Sequence, residues 1–127
     1  MVGIVVVSHS ADLARGVVEL AGQMAGPDVR IEAAGGGPDG GLGTDEGLLE
    51  RAIEAADQGD GVVVLGDLGS SILTARTVLE DREDDHVVLA DAPLVEGAVA
   101  AAVTASAGAA RADVLSAAEG ARGAGKL

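Results

Sequence analysis

Two short stretches of the chain are apolar without interruption, residues 2–7, closed by Ser8, and residues 61–65, closed by Gly66 and Asp67. Valine-rich runs this short, with no polar residue alternating, are what strands buried on both faces require. Such strands need cover above and below, so the remainder of the chain must supply helices for two faces of one sheet. The intervening sequence does so. From Ser10, a capping residue, the apolar positions Leu13, Val17, Leu20, Ala21 and Met24 recur at helical spacing until Gly26 and Pro27 stop them. Residues 29–34 read as a second strand. A loop over residues 35–43 follows, in which six of nine residues are glycine. Thr44 is then placed to cap a helix whose apolar positions are Leu48, Leu49, Ile53 and Ala56.

After the third strand, residues 61–67, a helix carries Ile72, Leu73, Ala75, Val78 and Leu79 on one face. Residues 86–90 form the fourth strand, and Pro93 separates it from an alanine-rich helical segment over residues 94–108. A weaker helix over residues 112–121 precedes a Gly-rich tail expected to fray. Strand and helix alternate four times, which predicts an α/β fold. The expected sheet is doubly wound and mainly parallel, its order beginning 2-1-3-4, with right-handed crossovers and helices on both faces. No repeat or linker divides the chain, so residues 1–127 are read as one domain.

Composition narrows the function classes. The 127 residues include no aromatic side chain, so the core must be built from Val, Leu, Ile and Ala, with two Met. A formal charge of -13 repels phosphate backbones, and no aromatic platform exists for base stacking; nucleic acid is not an expected partner. With no Cys and two widely separated His, neither a disulfide nor a zinc site is expected. The N-terminal run is too short for a signal sequence, and the alanine-rich stretch is too short to cross a bilayer. A cytoplasmic protein that avoids membranes is the expectation. The Gly-rich loop invites a phosphate-loop reading, but the only Lys is Lys126, and no strand-GxGxxG-helix element follows the first strand. No cofactor and no metal are expected.

In a sheet of order 2-1-3-4, ligands bind where strand order reverses, beyond the carboxyl ends of the first and third strands. Those strands end at His9 and Asp67. His9 stands at a strand-to-helix corner, where backbone N–H groups and the positive end of the helix favour an anion. A neutral imidazole is a nucleophile, and attack on a phosphoryl group would give a phosphohistidine beside those amides. Asp67 could accept a hydrogen bond from one ring nitrogen and leave the other for attack; it could equally be a turn residue or helix cap. Ser10 at the first corner, and Gly69, Ser70 and Ser71 at the second, are candidates for holding phosphate oxygens. Gly43 and Thr44 are candidates for a loop at the mouth. His86, after the acidic run 80–85, reads as part of a solvated loop.

Four segments in order carry a family resemblance: "VSHS" with His9, "GTD" at residues 43–45, "GDLGSS" at residues 66–71, and "APLVEGAVAA" from Ala92. Together they resemble the phosphocarrier subunit of the phosphotransferase-type dihydroxyacetone kinase, a domain similar to the enzyme IIA domains of the mannose class. "PLVEG" favours the dihydroxyacetone branch over the mannose-type sugar transporters. The resemblance implies that His9 receives phosphate from the histidine-containing phosphocarrier protein. It would pass the phosphate to ADP on a nucleotide-binding kinase subunit, while a further subunit binds dihydroxyacetone. Asp67 matches the acid beside the histidine, Ser70 and Ser71 match positions near the phosphate, and members of the family are commonly homodimers. The alanine-rich segment offers an apolar surface for such a dimer. A receiver-like signalling domain, with Asp67 as phosphoacceptor, is the alternative. It needs an acidic pair after the first strand and a lysine near the end of the sheet, and the chain has neither arrangement.

Overall fold

The computed structural model describes residues 1–82 and 85–127; of the acidic run, Glu83 and Asp84 lie outside the described residues. The chain alternates β1 (Gly3–Ser8), α1 (Ala11–Ala25), β2 (Ile31–Gly35), α2 (Glu46–Ala56), β3 (Val62–Gly66), α3 (Gly69–Glu80) and β4 (Val87–Leu89). Two helices follow, α4 (Leu94–Ser106) and α5 (Arg111–Gly120), then a 3₁₀ turn at Ala121–Gly123. The four strands form one sheet of order β2-β1-β3-β4 with every pair parallel, as the alternation predicts. All residues of the two central strands are buried, which accounts for the apolar runs: neither strand has a face that meets water.

Alternation along the strands divides the core in two. Val5, Val7, Val62 and Val64 pack on one face against Leu49 and Ile53 of α2 and Ala75 and Val78 of α3. On the other face, Ile4, Val63 and Leu65 meet Ala101 and Ala105 of α4 and Val114 and Ala118 of α5. Val6 completes that face against Ala14, Val17 and Ala21 of α1 with Ala98 and Ala102 of α4. Small side chains at these helix contacts let the backbones approach closely and fill the core without any ring.

This packing corrects several expectations. The buried stripe of α1 is Ala14, Val17 and Ala21, while Leu13, Leu20 and Met24 are exposed. Close approach of α1 to α4 selects the alanines and turns the larger side chains outward. Likewise Leu73 is exposed, and α3 buries Ser71, Ala75 and Val78. Asp45, not Thr44, caps α2, its carboxylate accepting the Gly47 N–H at 3.0 Å. The alanine-rich segment is mostly consumed inside the chain: Gly97, Ala98, Ala101, Ala102 and Ala105 of α4 are buried. The alanines of this segment thus face the sheet and the neighbouring helices, while Val95 and Val103 remain exposed. His86 is held rather than loose, with Nε2 at 3.0 Å from both carboxylate oxygens of Asp57. No helix among the described residues is long and apolar enough to cross a membrane.

Gly3 shows how tightly β1 meets α2, since a Cβ there would stand 2.2 Å from the Ala56 carbonyl oxygen. Gly16, in the middle of α1, has nothing within 4 Å of that position. Gly3→Ala is expected to destabilise the fold by about 1–3 kcal/mol or more through overpacking. Gly16→Ala should stabilise it by about 0.5–1 kcal/mol through helix propensity. Urea denaturation of the two variants checks the pair; equal midpoints would contradict the packing described.

Candidate functional site

β1 and β3 lie side by side with Val7 opposite Gly66, so the chain leaves both strands at one level. Ser8 and His9 emerge there beside Asp67. α1 leaves toward one face of the sheet and α3 toward the other, as their separate core contacts show. The site lies between their starts, at the point where the strand order reverses.

Asp67 is the hub of this site. Its Oδ1 lies 3.0 Å from His9 Nδ1 and accepts the Leu68 N–H at 2.7 Å. Its Oδ2 accepts the Ser8 hydroxyl at 2.7 Å and the His9 N–H at 3.1 Å. Burial alone would raise the carboxyl pKa, but the Ser8 hydroxyl and the N–H groups of Leu68 and His9 outweigh it. Together they hold Asp67 well below the usual carboxylate range. An ionised carboxylate is only an acceptor, so the proton shared with the ring resides on Nδ1 and the lone pair on Nε2. Nε2 points to the exposed side of the site, where it meets the Ser70 hydroxyl.

The other expected residues are distributed around this pair. Ser10 caps α1, its hydroxyl accepting the Leu13 N–H at 3.2 Å. Gly69 and Ser70 open α3, and N–H groups in the first turn of a helix have no partner within it. Gly43 donates its N–H to the His9 carbonyl at 3.0 Å, which brings the end of the Gly-rich loop to the mouth. Thr44 bonds through its hydroxyl to that of Thr74 at 2.7 Å, and Thr74 also donates to the Ser70 carbonyl at 3.1 Å. Ser71 is placed differently from the expectation that it holds phosphate. It is fully buried, accepting the Asp67 N–H at 3.0 Å and donating to the Leu68 carbonyl at 2.8 Å. Its role is to brace the turn that carries Asp67.

Sequence reasoning did not single out Ser8 or Thr74. Ser8 carried a signal, because a hydroxyl that ends a fully buried strand must find a partner. Thr74 carried none; an exposed-looking threonine inside a helix has no distinguishing pattern. Four exposed leucines lie in the segments that follow or adjoin the two corners: Leu13 in α1, Leu42 in the Gly-rich loop, Leu68 beside Asp67, and Leu73 in α3. Among the described residues, no group of three or more His, Cys, Asp or Glu is placed to hold a metal ion.

Comparison with known proteins identifies the family of the chain. The family model described as "PTS system fructose IIA component" matches residues 3–115. A phosphoryl donor subunit DhaM of PEP-dependent dihydroxyacetone kinase from Pantoea ananatis is 47% identical over 115 residues, which are 86% of this chain and 24% of that protein. The corresponding subunit of kinase 1 from Listeria innocua is 41% identical over 100 residues, 79% of this chain and 78% of that protein. The chain thus spans about a quarter of the length of the first relative and most of the second. Among solved structures, a protein of unknown function superposes with a TM-score of 0.85 at 36% identity, covering 99% of this chain and 96% of that one. The phosphotransferase system component EIIA from Streptococcus agalactiae shares the fold, with a TM-score of 0.73 at 14% identity over 99% of this chain and 97% of that one. The chain belongs to the family of the PTS system fructose IIA component, in the branch that holds the phosphoryl donor subunits of PEP-dependent dihydroxyacetone kinase.

Proposed function

We propose that the protein is a phosphoryl carrier that accepts a phosphoryl group on Nε2 of His9 and passes it on. The observation that carries this reading is the His9–Asp67 pair: Nδ1 is 3.0 Å from a carboxylate held by its own set of donors. The Nε2 lone pair attacks the phosphorus of the donor's phosphohistidine. As the new N–P bond forms the donor's N–P bond breaks, and its electron pair returns to the donor ring. Positive charge grows on the His9 imidazole, whose proton stays on Nδ1, and the Asp67 carboxylate opposes that charge directly. The Ser70 hydroxyl must first turn away from Nε2. It is then placed, with the N–H groups of Gly69 and Ser70, to donate to phosphoryl oxygens.

The relatives' names support a place in a phosphoenolpyruvate-dependent dihydroxyacetone kinase. In this reading the donor is the histidine-containing phosphocarrier protein. The acceptor is ADP on a nucleotide-binding subunit, and the ATP so regenerated phosphorylates dihydroxyacetone held by a further subunit. Both exchanges need protein surfaces that bring two reacting groups together. The exposed Leu68 beside Asp67 offers apolar contact for docking, and the charge of -13 favours partners with basic rims.

Incubation with phosphoenolpyruvate and the general phosphotransfer proteins should give one acid-labile, alkali-stable phosphoryl group per chain. His9→Ala should abolish it and His86→Ala should leave it, and a folded His9→Ala protein that still labels would end the proposal. Asp67→Asn should slow transfer by roughly 10²-fold or more without moving the label, the expected consequence of losing the partner that sets the tautomer. The same variant tests the charge of Asp67. A carboxyl with a depressed folded-state pKa contributes stability above its unfolded value of about 3.8 and loses it as pH falls through the folded value. The stability gap between wild type and Asp67→Asn should therefore narrow as pH drops below about 4. Thermal unfolding across that range measures it, and a gap that stays constant would show that Asp67 is not held ionised by the fold.

A further inference from the structure

Among the described residues Ser8 is one of two buried polar ones, and its hydroxyl has two fixed partners. Its oxygen accepts the Ser10 N–H at 3.0 Å, so the lone pair is directed at the start of α1. Its proton is then committed to Asp67 Oδ2 at 2.7 Å. The relay runs from an N–H at the positive end of a helix, through the hydroxyl, to the carboxylate. A donor polarised in this way binds an anion more strongly than an isolated hydroxyl would.

Geometry gives the relay a specific consequence. A carboxylate on a short side chain can rotate about its last bond, and His9 Nδ1 needs one particular oxygen in its plane. The Leu68 N–H comes from the residue next to Asp67 and moves with it. The Ser8 hydroxyl is anchored on the neighbouring strand, rigid in the sheet and independent of the β3–α3 turn. We infer that Ser8 is a positioning residue: by clamping Oδ2 from β1 it fixes Oδ1 against Nδ1, and so holds His9 in the tautomer whose Nε2 is free to attack. The inference deepens the phosphohistidine reading. Its structural part, the tautomer, does not depend on where the phosphoryl group lands.

Ser8→Ala removes a single oxygen and keeps the buried volume nearly unchanged, while Ser8→Thr keeps the hydroxyl. In the unphosphorylated protein labelled with ¹⁵N-histidine, at alkaline pH, the wild-type His9 ring should show a protonated Nδ1 and an unprotonated Nε2. Ser8→Ala should show a mixture of tautomers and a transfer rate lower by about tenfold, the scale of one lost hydrogen bond to a charged group. Ser8→Thr should restore both. If Ser8→Ala does not fold, Ser8→Cys, with its weak S–H donor, takes its place in the same comparison. A folded variant without the hydroxyl that keeps the wild-type tautomer signature overturns the inference, whatever its transfer rate. Absence of label on wild-type His9 together with a shifted tautomer in Ser8→Ala would instead reject the carrier proposal and leave the role of Ser8 standing.

Discussion

The carboxylate of Asp67 ties the fold to the chemistry. It closes β3, receives a hydroxyl and a backbone N–H from the end of β1, and faces the ring of His9. Because β1 and β3 are adjacent and parallel, this group is supplied by residues nearly sixty positions apart in sequence, yet held by two rigid central strands. The low proton affinity of the carboxyl follows from the same bonds that fix its position. Structural satisfaction and chemical preparation are one set of interactions.

An aromatic-free core suits this arrangement. Valine on the strands and alanine on the helices give thin, closely spaced layers, and α1 and α3 start tight against the sheet beside the site. Serine hydroxyls in the two corners then suffice to satisfy the backbone there: Ser10 caps α1, and Ser71 braces the turn at the start of α3. The larger apolar side chains that the core does not need appear on the surface, among them Leu13, Leu20 and Met24 of α1 and Leu73 of α3.

Much of this was legible in the chain. Uninterrupted apolar runs announced doubly buried strands, and the alternation of strand and helix fixed a parallel sheet whose switch point lies at His9 and Asp67. Helix faces were read less well. Periodicity favours large apolar residues, whereas the α1–α4 contact selects alanines, so the pattern points Leu13, Leu20 and Met24 inward and the fold leaves them outside. The site divided in the same way. His9 and Asp67 were visible because residue type and strand end coincide. The different tasks of Ser8, Ser70 and Ser71 were hidden, since which hydroxyl faces the strand, the ring or the turn depends on three-dimensional register.

The central claim is that the fold protonates one ring nitrogen of His9 in order to free the other. Correlation of ³¹P with the ring ¹⁵N nuclei in the phosphorylated protein tests it most directly. The account predicts phosphorus bonded to Nε2, with Nδ1 still protonated and shifted by its hydrogen bond to Asp67; phosphorus bonded to Nδ1 would contradict it.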